Sequence, residues 1–200
     1  MMKRLYGLLV FMYAIGFAQK SDIQSTITFN DDHVLNAKIP FITNLFDGNQ
    51  IDEITLADKN IKILEDGKKI KYSAAEIKKI EFTDLKNKPR VFVYFPAESS
   101  KTLVEELYNG NKIKWFRSYH RHGFDGSTLV TDVLYKGNVR QAMSILINNR
   151  KKLKALMADK PELEPLIENI NYNKLREEDL IDVLKKYDDK IRFKSFFNDK

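Results

Sequence analysis

Cysteine is absent from the 200 residues. Its absence excludes a disulfide framework, a thiol nucleophile and a lipid-anchored terminus, since a lipoprotein carries its lipid on a cysteine just after the export signal. Glycine is sparse: the eight glycines stand singly in turns, so no glycine-rich loop is there to cradle a phosphate. Neither a Gly-x-Ser-x-Gly elbow nor a His-Glu-x-x-His helix occurs, which removes the most legible routes to a serine hydrolase and a zinc peptidase. Beyond Phe17 no apolar run approaches the ~20 residues that a membrane-crossing helix requires.

What is present begins with an address. Lys3 and Arg4 precede an apolar or small-residue stretch over residues 5–17, and Gly16-Phe17-Ala18 places small residues where a signal peptidase reads. A charged start, an apolar middle and a small-residue cleavage site, in that order, define a secretion signal. The stretch stops at Gln19-Lys20-Ser21-Asp22, too soon for a bilayer span. Residues 1–18 are therefore expected to be cleaved, leaving a mature protein that begins near Gln19. It is expected to be periplasmic or secreted and free of lipid.

Charged residues make up 31% of the chain and aromatics 12%, the profile of a packed domain rather than a disordered one. Losing Lys3 and Arg4 with the leader lowers the net charge from +6 to +4. One dense basic run stands out, Arg150-Lys151-Lys152-Leu153-Lys154. Phosphate contact is one use of such a run, but an exported protein seldom meets nucleic acid. The run reads instead as the wet side of a helix.

From residue 23 to 135 the pattern is one of short strands cut by turns. Apolar and polar residues alternate over 23–29, 51–56, 61–64 and 90–95, with breaks at Asp47-Gly48-Asn49, Asp58-Lys59-Asn60 and Asp66-Gly67-Lys68. Such residues accept the left-handed backbone of tight hairpins. Ser73-Ala74-Ala75-Glu76 has the spacing of a capping box, and Ile77, Ile80 and Phe82 continue into a strand. Residues 103–108 and 113–119 flank the hairpin signal Asn109-Gly110-Asn111, and residues 129–135 make a last strand. After Asn138 the apolar period lengthens to about 3.6, placing Val139, Met143, Leu146, Leu153 and Met157 on one stripe of an expected long helix. Asp159-Lys160-Pro161-Glu162 reads as the capped start of a second helix, and residues 176–187 as a third.

The expected fold is therefore α+β. An N-terminal antiparallel sheet over residues 19–138, rolled or half-closed as a half-barrel, is followed by three helices over residues 139–189 packed on it. A tail of residues 190–200 completes the chain.

Chemistry concentrates between Ser118 and Asp125. His120, His122 and Asp125 could hold one metal ion if the chain there is extended, though the usual ligand spacings are missing and an ordinary exposed loop is the plainer reading. Strand alternation puts Trp115, Arg117 and Tyr119 on one face, a ligand platform if exposed, with Phe116 pointing inward. Glu105-Glu106 and Glu177-Glu178 are explained by a strand face and a helix N-terminus. No cofactor is implied.

Four segments together carry a resemblance: the leader ending in Phe17-Ala18-Gln19, residues 66–82 (DGKKIKYSAAEIKKIEF), residues 107–114 (LYNGNKIK) and residues 156–163 (LMADKPEL). In these the chain resembles small exported envelope proteins of Bacteroidota-type Gram-negative bacteria. The resemblance implies an envelope location and supplies no catalytic residues. The sequence thus points to an exported, non-catalytic binding or structural protein whose partner is an envelope protein or polysaccharide. A hydrolase or metal-binding protein using residues 120–125 is the alternative.

Overall fold

The computed structural model of the chain describes residues 20–43, 47–98, 101–143, 148–172 and 176–197, with side chains up to residue 189. The expected leader and its cut at Gln19 lie outside these residues, as do Leu146 and Asn173 and the side chains of the tail.

Ten strands build one antiparallel sheet: β1 Lys20–Phe29, β2 Val34–Ile42, β3 Asn60–Glu65, β4 Lys68–Ser73, β5 Ile77–Thr83, β6 Pro89–Tyr94, β7 Leu103–Asn109, β8 Ile113–Arg121, β9 Thr128–Lys136 and β10 Val139–Met143. Their spatial order is β10-β9-β8-β7-β6-β5-β1-β2-β3-β4, so the sheet is open and its edges are β4 and β10. Three helices lie toward the C-terminus, α1 Asn149–Leu156, α2 Glu164–Asn169 and α3 Glu177–Phe197. The protein is a sheet-dominated α+β fold and not a closed barrel. Among the described residues no helix is long and apolar enough to cross a membrane.

Local chemistry accounts for most turns. Asp66 and Gly67 adopt positive φ between β3 and β4, and Gly137 does so between β9 and β10, as tight hairpins require. The capping box forms as expected: the Ser73 hydroxyl accepts from the Ala75 N–H at 3.3 Å, and Glu76 accepts from the Ser73 N–H at 2.8 Å. It opens a single 3₁₀ turn that hands the chain to β5.

Several elements differ from the sequence reading. Residues 51–56 are not a strand: the Asp52 carboxylate accepts from the Ile54 N–H at 3.2 Å and starts a 3₁₀ turn over Glu53–Thr55. The expected sheet boundary at residue 138 and the long helix from 139 are also corrected. Gly137 closes a hairpin, residues 139–143 pair with β9 as β10, and the helix starts only at Asn149 behind an Asn148 cap. Asp159 does not cap the second helix, because its carboxylate is engaged by Lys136 at 2.6 Å and by the Tyr187 hydroxyl at 2.9 Å. The third helix runs on through the tail to Phe197.

Register gathers the core on one face. Ile27, Ile80, Phe92, Glu105, Arg117, Asp132 and Met143 stand opposite one another across neighbouring strands from β1 to β10. On the β1 side of this row, strand residues such as Ile39, Phe41 and Ile63 pack with Ile51, Ile54 and Leu56 of the β2–β3 connection. On the β10 side, Ile113, Trp115, Leu134 and Met143 are covered by Leu153, Ile167, Leu180, Leu184 and Tyr187 of the helices. The opposite face carries a smaller cluster of Val104, Phe116, Val133 and Tyr135. The basic run lies on α1 and is answered locally: Arg150 pairs with Glu168 at 3.1 Å and Lys154 with Glu164 at 2.5 Å.

Candidate functional site

β8 carries Trp115, Arg117 and Tyr119 to one face, as alternation requires, but none of the three forms an exposed platform. Trp115 is wholly buried beneath the helices, and Tyr119 is 4% exposed within the β1-side cluster. Phe116 does point into a core, though a different one on the opposite face. Trp115 thus packs under the helices, Tyr119 packs in the β1-side cluster, and Arg117 is half-buried between them. Among the described residues the Trp115 Nε1 is the buried side-chain polar atom without a hydrogen-bond partner.

Between the two large apolar clusters runs a belt of charge. Arg90 from β6 donates through Nε and Nη2 to the Glu105 carboxylate of β7, the second contact at 2.9 Å. Its Nη1 reaches Asp84 at 3.3 Å, and its Nη2 also reaches Glu53 at 3.4 Å and the Tyr119 hydroxyl at 3.1 Å. Tyr119 in turn donates to Glu105. Next in line, Arg117 grips Asp132 with two hydrogen bonds of 2.6 and 3.0 Å, and its Nη1 donates to Glu177 at the first turn of α3. Lys88 holds the other Glu177 oxygen. Arg121 closes the belt on Asp52 at 2.9 Å. The belt ties the β2–β3 connection, four central strands and the start of α3 into one network.

Burial, the largest single effect, would loosen the Arg90 proton, but the hydrogen bond to Glu105 and the charges of Glu105, Tyr119 and Glu53 together outweigh it and the pKa rises; Arg117 behaves likewise through Asp132, Tyr119 and Glu177. Burial, reinforced by Glu105, drives the Tyr119 hydroxyl well above the ordinary phenol range. Burial would raise the Glu177 carboxyl, yet Lys88 and Arg117 together hold it below the usual carboxylate range. All four groups are thus moved away from neutrality, the reverse of what general acid or base work needs. The arrangement holds structure together.

The segment 121–130 is exposed throughout, with Phe124 96% exposed at its tip. His122 Nδ1 lies 2.9 Å from Asp125 Oδ1, and the same oxygen accepts from the Ser127 N–H and hydroxyl at 3.0 and 2.7 Å. The Ser127 backbone contact is the main reason that the Asp125 carboxyl is held low. His120 sits within β8 opposite Leu129 and does not join this pair. The third histidine, His33, lies at the β1–β2 turn, its ring stacked on Phe29 at 5.4 Å. Among the described residues no group of three or more His, Cys, Asp or Glu side chains is placed to hold a metal ion.

The sequence pattern places Arg90 only at the start of a strand, puts Glu105 on a strand face and Glu177 at a helix N-terminus, and singles out neither Asp84 nor Asp132. A signal existed for two of them. Arg90 and Glu105 occupy positions whose alternate neighbours Phe92 and Leu103 are fully buried, so each charge falls on the inward phase of its strand. Compared with protein-family models, curated proteins and solved structures, the chain matches none of them.

Proposed function

We propose that this protein is exported through its N-terminal signal and serves in the bacterial envelope as a non-catalytic binding protein. The observation that carries the reading is the mutual saturation of the buried charges. Arg90, Arg117, Tyr119, Glu105 and Glu177 spend their donors and acceptors on one another, leaving no poised acid, base or nucleophile among them. The open character of residues 121–130 further favours binding over hydrolysis, because a hydrolase using His120, His122 and Asp125 needs them converging in a recess.

The roll of the sheet into a half-barrel belongs to the same reading. It is supported by the β2–β3 connection, which packs against β2 and also reaches Arg90 on β6 and Arg121 on β8. A rolled sheet leaves recesses at its ends and under its helices, where a ligand is held without chemistry being done to it. The resemblance in residues 66–82, 107–114 and 156–163 supports the envelope location.

The test has two arms. Fractionation of cells expressing the full chain, with N-terminal sequencing of the product, is expected to find material outside the cytoplasm that begins at Gln19. A crosslinking pull-down from envelope extract is expected to recover a specific component, while assays against envelope polymers show no turnover. Cytoplasmic material retaining Met1, or reproducible polymer cleavage abolished by His122→Ala, overturns the proposal.

A further inference from the structure

The recess best equipped to hold a ligand lies at the end of the sheet where β8 begins and β9 finishes. It has a volume of about 650 Å³, within the range of about 300–1,000 Å³ typical of small-molecule sites. Phe95, Lys112, Lys114, Tyr135 and Lys136 line it, with Asp159 and Tyr187 on its helical side.

Its charges fall into two groups. Lys136 is fixed: its ammonium donates to Asp159 at 2.6 Å and to the Leu156 carbonyl at 2.8 Å, and it stands 5.3 Å over the Tyr187 ring. Tyr187 holds the second Asp159 oxygen, so that carboxylate is engaged from both sides. Glu98, beside the recess, is occupied by the Tyr135 hydroxyl and by Arg140 at 2.9 and 3.1 Å. Asp188 is likewise taken by the Tyr108 hydroxyl at 2.7 Å and the Lys112 backbone N–H at 3.2 Å. These carboxylates therefore already have donors. Lys112 and Lys114 differ: neither ammonium forms an ion pair among the described residues, and Lys114 acts on the half-buried Glu106 of β7, itself hydrogen-bonded by Asn109, through its charge alone. Ile113 between them is buried in the helix-covered core, while Lys114 in the strand and Lys112 in the turn before it both line the recess.

The same wall carries aromatic surface. Phe95 stacks on Phe116 at 4.4 Å and meets Tyr135 edge-on at 4.9 Å. Phe95 is itself only half-buried, which leaves part of a braced ring facing the recess. Two unpaired ammonium groups beside a rigid apolar ring suit a ligand with both an anionic group and a flat apolar face. A sugar ring bearing an acid is such a ligand.

We infer that this recess is a binding site for an anionic saccharide, with Lys112 and Lys114 engaging its acidic group and Phe95 stacking on its ring. The inference rests on the reading of the protein as a binding protein and names the ligand class. Carboxylate and phosphate share the required chemistry, and the experiment distinguishes them.

Protein purified from cells expressing the full chain is titrated calorimetrically with digalacturonate, glucose 6-phosphate and uncharged maltose. At least one anionic sugar is expected to bind saturably, more weakly as salt rises, and maltose is expected not to. The tighter of the two acids identifies the natural group. Lys112→Glu with Lys114→Glu is expected to weaken binding at least about tenfold, the scale of one charge-assisted hydrogen bond, and Phe95→Ala to weaken it without removing the salt dependence. Thermal melts confirm that each variant is folded, and Lys78→Glu, on a remote surface, is expected to leave affinity unchanged. Absence of saturable binding by either acid, equal binding of maltose, or an unchanged affinity in the folded double variant overturns the inference. If sugars fail while envelope pull-down still recovers a specific component, the saccharide assignment falls and the binding-protein reading stands.

Discussion

Replacing Glu105 by alanine tests the belt at its centre. The side chain is 2% exposed and receives Arg90 Nε, Arg90 Nη2 and the Tyr119 hydroxyl. Its loss leaves a 7% exposed guanidinium holding the longer contacts to Asp84 and Glu53 and the neutral Tyr119 hydroxyl. Removing one partner of a buried pair costs about 3–5 kcal/mol, because the surviving charge stays out of water without its closest partner. For a domain of this size ~1 kcal/mol shifts the melting temperature by about 2–4 °C, so a fall of roughly 6–20 °C is expected. The chain contains a single tryptophan, and Trp115 is wholly buried, so its fluorescence in a urea titration reports unfolding without a label. As a control, Lys78→Ala removes an ion pair to Asp32 whose side chains are 57% and 74% exposed, and about 0–1 kcal/mol is expected. Removing both charges with Arg90→Met and Glu105→Leu is expected to recover much of the single-variant loss, since the pair owes its desolvation cost to both members. A Glu105→Ala cost no larger than that of Lys78→Ala, or a double variant that costs the sum of its parts, would refute the reasoning.

Three further outcomes follow from other parts of the fold. Because the Glu177 carboxyl is held below its unfolded value by Lys88 and Arg117, its contribution is present above the ordinary glutamate range and lost as pH falls through the lowered value. Wild type is therefore expected to exceed Glu177→Gln in stability at pH 7, and urea titrations from pH 7 to pH 3 are expected to show the gap closing with acid. A Cβ on Gly110 would sit 1.7 Å from Asp188 Oδ2 and 2.6 Å from the Tyr108 ring. Gly110→Ala is expected to cost about 1–3 kcal/mol in a urea titration by forcing the β7–β8 turn away from α3. Phe124→Ser, at a position 96% exposed, is expected to stay within about 0.5 kcal/mol of wild type in the same assay.

The strands with clean alternation and strong turns are legible from the order of residues alone, as residues 23–29, 61–64 and 113–119 show. Where the reading went astray, two periods shared the same residues. Val139 and Met143 lie four apart, a spacing that suits one helical turn and also two strand repeats. The Gly137 turn, which pairs Val139 with Lys136, decides between them. Residues 51–56 alternate like a strand, but Asp52 binds the Ile54 N–H and turns the apolar positions into the lid of a core. β2 escaped notice because Asn36, Lys38 and Pro40 interrupt it, although Ala37, Ile39 and Phe41 alternate inward between them. The belt was illegible for a deeper reason: a buried charge is recognisable only beside its partner, and Arg90, Glu105, Asp132 and Glu177 come from four separate elements. The lysines of the recess were visible as residues, but their freedom depends on which carboxylates their neighbours have already taken.

An open sheet of ten strands has no closing seam to count its registers, and apolar side chains on adjacent strands exchange for one another at little cost. Arg90, reaching diagonally to Glu105, supplies the missing index mark. Slipping β6 against β7 by one residue would turn one of these charges outward and leave the other in an apolar layer. The belt thus tells each strand which neighbour it has met, and alignment is expected to spread from the middle of the sheet toward its two edges.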